Sequence, residues 1–233
     1  MSKHRLETIN GMPDVCGIDE AGRGALAGPL VAASVSLRIP AKNIEALVGI
    51  PLRDSKILTK NQRVRFYNTF LELPVDWNTR FINVPTINSK GIQWSNIQAI
   101  KQLIRIHRAQ SYIVDGNFRI SVFGKNVQSV PHADATIPEV ICAGIIAKVT
   151  RDMYMEQLSQ SFPQFAWDKN AGYGTKFHIH TIRSTGTTCH HRTVFVQTAC
   201  TPKKKNKKSL HRNKYVCRRN YKRHGVLIDN SGI

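Results

Sequence analysis

The chain is short of acidic groups: 15 Asp and Glu stand against 34 Lys and Arg in 233 residues, a net charge of +19. That shortage argues against an acidic small-molecule partner and for a polyanionic one. The imbalance is not confined to one end. From Thr201 onward there are eleven Lys/Arg and one Asp, yet the first 200 residues still carry 23 basic against 14 acidic side chains. Cysteines are few, odd in number (Cys16, Cys142, Cys189, Cys200 and Cys217) and without a Cys-x-x-Cys pair, so neither a disulfide framework nor a zinc site is expected. No apolar run reaches the roughly 18 residues of a membrane span. Met1 to Gly11 is polar, without the apolar region of an export signal. These absences predict a cytoplasmic protein with no membrane partner. A hydrophobic content of 41% is enough for one large domain with an appendage.

What is present is most informative at Cys16-Gly17-Ile18-Asp19-Glu20-Ala21-Gly22-Arg23-Gly24. Two adjacent carboxylates end an apolar run and lead into a Gly-Arg-Gly turn. Glycines let main-chain groups approach a phosphate or ribose closely, and Arg23 adds a planar cation suited to phosphate oxygens. Three further acids compete for attention. Asp115 ends the apolar Tyr112-Ile113-Val114, although Asp before Gly116-Asn117 is also an ordinary turn residue. Asp134, in His132-Ala133-Asp134-Ala135-Thr136, precedes an apolar helix and reads equally as a first-turn acid. Asp152 lies inside a helical pattern and reads as a salt-bridge partner. Carboxylates at strand ends stand where α/β sheets build ligand crevices, and hard oxygen ligands suit Mg²⁺ or Mn²⁺. Two such ions roughly 3.5–4 Å apart support in-line phosphodiester hydrolysis without a protein nucleophile.

The hydrophobic pattern predicts an α/β domain over 12–158: a strand, the Gly-rich turn and a second strand within 14–37, a helix over 59–71, a short strand over 81–84 and an amphipathic helix over 92–109. Strands over 111–114 and 127–130 and a long helix over 137–158 follow. Residues 159–200 read as a small helical and loop subdomain with one short helix over 176–183. The basic tail, 201–233, reads as disordered. His178, His180, His190 and His191 lack acidic or Cys partners for a metal, and Trp77, Trp94 and Trp167 read as packing residues.

The ordered segments also carry a resemblance. Gly17 to Gly24 with Leu26-Ala27-Gly28-Pro29, then Asp54-Ser55-Lys56, Val114-Asp115-Gly116-Asn117, Ala147-Lys148-Val149-Thr150-Arg151-Asp152, Gly172-Tyr173-Gly174-Thr175-Lys176 and His191-Arg192-Thr193-Val194-Phe195 resemble, in order, the motifs of type 2 ribonucleases H, the bacterial ribonuclease HII. The resemblance covers about 14–196. It implies an RNase H-like fold, a mixed central sheet flanked by helices with a small helical C-terminal subdomain. It further implies a monomeric, metal-dependent endonuclease of ribonucleotide excision repair. Such an enzyme cuts RNA in RNA–DNA hybrids and cuts 5′ of ribonucleotides embedded in duplex DNA. Asp19, Glu20, Asp115 and Asp134 would then be the catalytic carboxylates holding Mn²⁺ or Mg²⁺. Gly22, Arg23 and Gly24 would read the 2′-hydroxyl, the group that separates RNA from DNA. Tyr173 would stack on the sugar, and Lys56 and Lys176 would contact phosphates. A sliding-clamp partner is not indicated, because Gly225-Val226-Leu227-Ile228 lacks an aromatic anchor. The chain departs from the family at Ala25 (Pro is common), Gly144 (Ala or Ser is usual), Phe177 (Glu is expected), and at His190 and Thr193 in the closing segment. The alternatives are a noncatalytic nucleic-acid binder and a type 3 ribonuclease H. Retention of all four carboxylates argues against the first. The second is expected to carry an added N-terminal domain, and only about 15 residues precede the first catalytic strand.

Overall fold

The computed structural model describes residues 8–9, 12–52 and 58–201. Lys56, with Asp54 and Ser55, and the tail from 202 onward lie outside the described residues. In chain order the elements are β1 (Thr8–Ile9), β2 (Met12–Pro13), β3 (Val15–Ala21), β4 (Leu30–Leu37), α1 (Ala41–Val48), α2 (Lys60–Leu71), β5 (Val75–Ile82), α3 (Val84–Lys90) and α4 (Ile92–Ile106). They continue with β6 (Ser111–Asp115), β7 (Asn126–Val130), a 3₁₀ turn (Ala133–Ala135), α5 (Pro138–Ser161), a second 3₁₀ turn (Pro163–Phe165), α6 (Trp167–Asn170), α7 (Lys176–Thr185) and α8 (Thr193–Cys200).

Five strands form one mixed sheet in the order β5-β4-β3-β6-β7. β3 pairs antiparallel with β4 and parallel with β6, and β6 pairs parallel with β7. This is the mixed sheet flanked by helices that the motifs imply. Alternation along β3 sorts its side chains between two layers. Ile18 and Cys16 join Leu30, Ile100, Leu103 and Tyr112 under α4, while Ala21 joins Val35, Phe66, Phe70, Ile141 and Ile145 under α1, α2 and α5. A third apolar cluster, around Phe165, Trp167, Met155, Leu26 and Val196, joins the C-terminal helices to the Gly-rich turn.

α2 begins with a capping box, Thr59 accepting from the Gln62 backbone N–H while Gln62 accepts from that of Thr59, which explains the sharp start there. The strand expected over 81–84 is instead the end of the eight-residue β5, and Val84 opens α3. β5 lies at the sheet edge and is half-buried on both faces, so its polar residues disguised it. The short helices α1 and α8 were not anticipated; both lack a side-chain N-cap and span eight residues. Trp167 is fully buried and Trp77 packs on the core, as expected, but Trp94 remains 43% exposed. Asp152 pairs with Lys148 one turn earlier at 2.7 Å, the salt bridge its helical setting suggested.

Candidate active site

The parallel register of β3 and β6 sets Ile18 beside Val114, so both strands end in acids at the same end of the sheet. Asp19 and Asp115 leave the face covered by α5. Glu20 leaves the face covered by α4. The 3₁₀ turn before α5 brings Asp134 in, its backbone N–H donating to Asp115 Oδ1 at 3.4 Å. The four predicted carboxylates are therefore gathered at one rim. Asp19 and Asp134 are buried, each 8% exposed. Burial first, then the negative charge of Glu20, and more weakly Asp115 and Asp134, push the Asp19 carboxyl well above its ordinary range. Burial likewise raises Glu20, against the opposing pull of Arg23. Arg23 bonds Glu20 Oε1 at 3.2 Å, while Oε2 is buried without a hydrogen-bond partner. A buried, unpartnered carboxylate oxygen amid other acids fits a cation. Among the described residues, no three or more His, Cys, Asp or Glu side chains stand as a group that could hold a metal ion.

The departure at Gly144 bears on this seat. A Cβ there would lie 2.5 Å from Asp19 Oδ2, so Asp19 leans into space that Ala or Ser would occupy.

A family profile described as Ribonuclease HII matches residues 16–198. The chain belongs to the ribonuclease HII family. It is 38% identical over 186 residues to a ribonuclease HII of Ralstonia nicotianae, covering 78% of this chain and 76% of that one. It is 37% identical over 188 residues to one from Aliarcobacter butzleri, covering 79% and 91%. Among solved structures it resembles the ribonuclease H2 of Pyrococcus horikoshii OT3, with TM-score 0.65, 25% identity and coverage of 80% and 96%. The fold is also shared with the ribonuclease HII of an Archaeoglobus fulgidus PCNA complex, with TM-score 0.67, 23% identity and coverage of 82% and 98%. As a type 2 ribonuclease H the chain is an endonuclease and a hydrolase.

In this chain the Gly-Arg-Gly turn and the Ala27–Pro29 segment after it are held by two buried arginines that sequence reasoning did not single out. Arg192 donates to the carbonyls of Gly28 at 3.0 Å, Gly22 at 2.7 Å and Arg23 at 3.0 Å. Burial, with Arg151 nearby, pushes its pKa down to about 9. Arg151 donates to Pro29, Ala171 and Ala27 carbonyls at 2.9, 2.8 and 3.0 Å. It also lies over the Tyr173 ring at 5.3 Å, with Lys148 at 5.5 Å. Gly22 has φ +92° and a Cβ there would meet Arg151 Nε at 2.1 Å, so glycine is required on both counts. In a sequence a buried Arg looks like a surface one; their places within Ala147–Asp152 and His191–Phe195 were the available signal.

The Tyr173 loop is fastened to the turn as well: Leu26 and Ala27 N–H groups both donate to Gly172 O, at 2.8 and 3.2 Å. The Tyr173 loop thus sits beside Leu26 and Ala27, just after the Gly22–Gly24 turn; Tyr173 is half-buried, while Lys176 is exposed on the first turn of α7. Phe177 is also exposed.

His178, His190 and His191 surround Trp167. The partners fix the tautomers. His191 Nδ1 accepts from the Thr188 N–H at 2.9 Å, so its Nε2 carries the proton. His178 Nδ1 donates to Tyr173 O at 2.9 Å, leaving its Nε2 to accept from Trp167 Nε1 at 3.1 Å and His191 Nε2 at 3.2 Å. Both rings are neutral. Burial, then His178, lowers His191 to about 3, and burial lowers His178. Because the unfolded chain protonates near pH 6.5 and the folded one does not, stability is intact above that pH and falls as pH drops toward 3. Thermal melts at pH 7.5 and 4.5 should show a smaller acid-induced drop in Tm for His191→Gln than for wild type. Equal drops would remove His191 from the account.

Proposed function

We propose that this chain hydrolyses the RNA strand of RNA–DNA hybrids and cuts 5′ of single ribonucleotides in duplex DNA, leaving 3′-hydroxyl and 5′-phosphate ends. The observation that carries the reading is the meeting of Asp19, Glu20, Asp115 and Asp134 at one sheet rim beside the Gly22–Gly24 turn. Their donor set is all oxygen, which suits Mg²⁺ or Mn²⁺. A ribonuclease HIII of the same fold, with TM-score 0.58 and 20% identity, was solved with Mn²⁺. What two such cations supply, when bound, is activation of a water and stabilisation of the leaving oxygen. The protein's own groups do the rest. The four carboxylates hold the cations. Gly22, Arg23 and Gly24 lie against the ribose, where main-chain groups sense the 2′-hydroxyl independently of base. Tyr173, steadied by Arg151 and Lys148, packs on the next sugar. Lys176 and Lys56 hold phosphates, contacts that position a duplex without specifying sequence.

In this reading residues 12–158 form the catalytic domain and 159–200 the part that grips substrate, with the basic residues of 201–233 adding salt-sensitive affinity. No helix among the described residues is long and apolar enough to cross a membrane. The reading further has the chain work on DNA in the cytoplasm as a monomer. The test is a labelled duplex with one ribonucleotide. The expected product ends in a deoxynucleotide 3′-hydroxyl that a DNA polymerase extends. A product ending in a ribonucleotide 2′,3′-cyclic or 3′-phosphate would contradict the reading, since it would require attack by the 2′-hydroxyl itself.

A further inference from the structure

The face of the sheet opposite Asp19 holds a residue with no role assigned above. Asn96, on α4, is fully buried, and neither its Nδ2 nor its Oδ1 reaches a hydrogen-bond partner. A buried amide left unpaired is destabilising, so its neighbours matter. The preceding Ser95, also buried, is satisfied: its hydroxyl donates to Gly91 O at 2.8 Å. Asn96 lies one turn before Ile100, which packs with Ile18, two residues before Glu20 on the same face of β3, so the amide and the carboxylate lie in the one layer between α4 and the sheet, and the amide favours the charged carboxylate. Glu20 Oε2 is itself buried and unpartnered. Two orphaned polar groups thus stand side by side on opposing elements, one a donor and the other an acceptor. The second carboxylate oxygen, Oε1, is already held by Arg23.

We propose that Asn96 is a positioning residue for Glu20, donating Nδ2–H to Oε2 and aiming the carboxylate at a divalent cation. The inference rests on the metal reading given under Proposed function. Arg23 and Asn96 then take one lone pair of one oxygen each, Arg23 from the exposed side and Asn96 from the buried side, and leave the other lone pairs for the cation. Gripped at both oxygens, the carboxylate keeps one orientation before a cation arrives. Partners of this kind, one step removed from the ion, change metal affinity by roughly 10–100-fold when removed. Leucine at this position keeps the volume and removes both amide atoms. It should therefore spare the fold while releasing Glu20.

The test is Mn²⁺ binding to the full chain without nucleic acid, by titration calorimetry, for wild type, Asn96→Leu, Glu20→Gln and the double variant, with melting of each. The expected result is a Kd about tenfold or more higher in Asn96→Leu, with Tm no lower than wild type. In the Glu20→Gln background the same substitution should change Kd less than twofold, because the group it positions has gone. Asn96→Ala gives the same comparison should the leucine variant not fold. An Asn96→Leu protein that binds Mn²⁺ as wild type does, or one weakened equally with and without Glu20, overturns the inference. A wild type that takes up no Mn²⁺ overturns instead the metal reading on which it rests.

Discussion

Gly17→Ala is expected to lower both stability and activity sharply. A Cβ at Gly17 would stand 2.3 Å from both the Glu139 carbonyl carbon and the Val140 nitrogen. Those are backbone atoms at the start of α5, which cannot rotate away as a side chain would. α5 must then lift off β3. Overpacking usually costs 1–3 kcal/mol, and a double backbone clash belongs at the upper end, about 3 kcal/mol. For a domain of this size that is a Tm drop of roughly 6–12 °C. The same displacement separates Asp19, two residues along β3, from Asp134, which precedes α5. Activity should therefore fall more than the folded fraction does at a temperature where the variant remains folded. A normal Tm would show that α5 can shift without cost.

Arg192→Met should disable the Gly-Arg-Gly turn while leaving the sheet intact. Methionine keeps the apolar stem but leaves the Gly22, Arg23 and Gly28 carbonyls without the guanidinium that links them. At about 1 kcal/mol per lost bond the variant is destabilised by about 3 kcal/mol. The effect on cleavage is larger, because a displacement of about 1 Å in a positioning loop can cost roughly 100-fold. Arg192→Lys should not restore activity, since one ammonium cannot span three carbonyls as a planar fork does. Steady-state cleavage and melting of both variants check this. Near-wild-type cleavage by Arg192→Met would mean that the turn holds its shape by itself.

Much of this arrangement was legible in the sequence where local pattern and tertiary demand agree. The 14–37 hairpin shows as continuous apolar runs because both faces of its strands are covered, the amphipathic α4 shows its period because one face packs on the sheet, and the buried β6 shows as a short apolar run ending in Asp115. Asp19, Glu20 and Asp115 were recognisable as acids following apolar strands. β5 was not legible in full, because an edge strand half-buried on both faces carries no clean alternation. Arg151, Arg192 and Asn96 were missed for a related reason. The partners of the two arginines are backbone carbonyls, Asn96 has none, and polar residues of those types usually face solvent. Only the folded chain shows that they are buried. The neutral tautomers of His178 and His191 likewise follow from contacts across 167–191 that no local pattern encodes.

The central claim is that the four carboxylates form one cation-dependent hydrolytic site. It is tested most directly by cleavage of a duplex with a single ribonucleotide, with Mg²⁺, with Mn²⁺ and with a chelator, comparing wild type and Asp115→Asn. The account predicts one cut 5′ of the ribonucleotide by wild type with either metal, none with chelator, and a loss of at least about 1,000-fold in Asp115→Asn at unchanged Tm. Undiminished cleavage by Asp115→Asn, or by wild type in chelator, would contradict it.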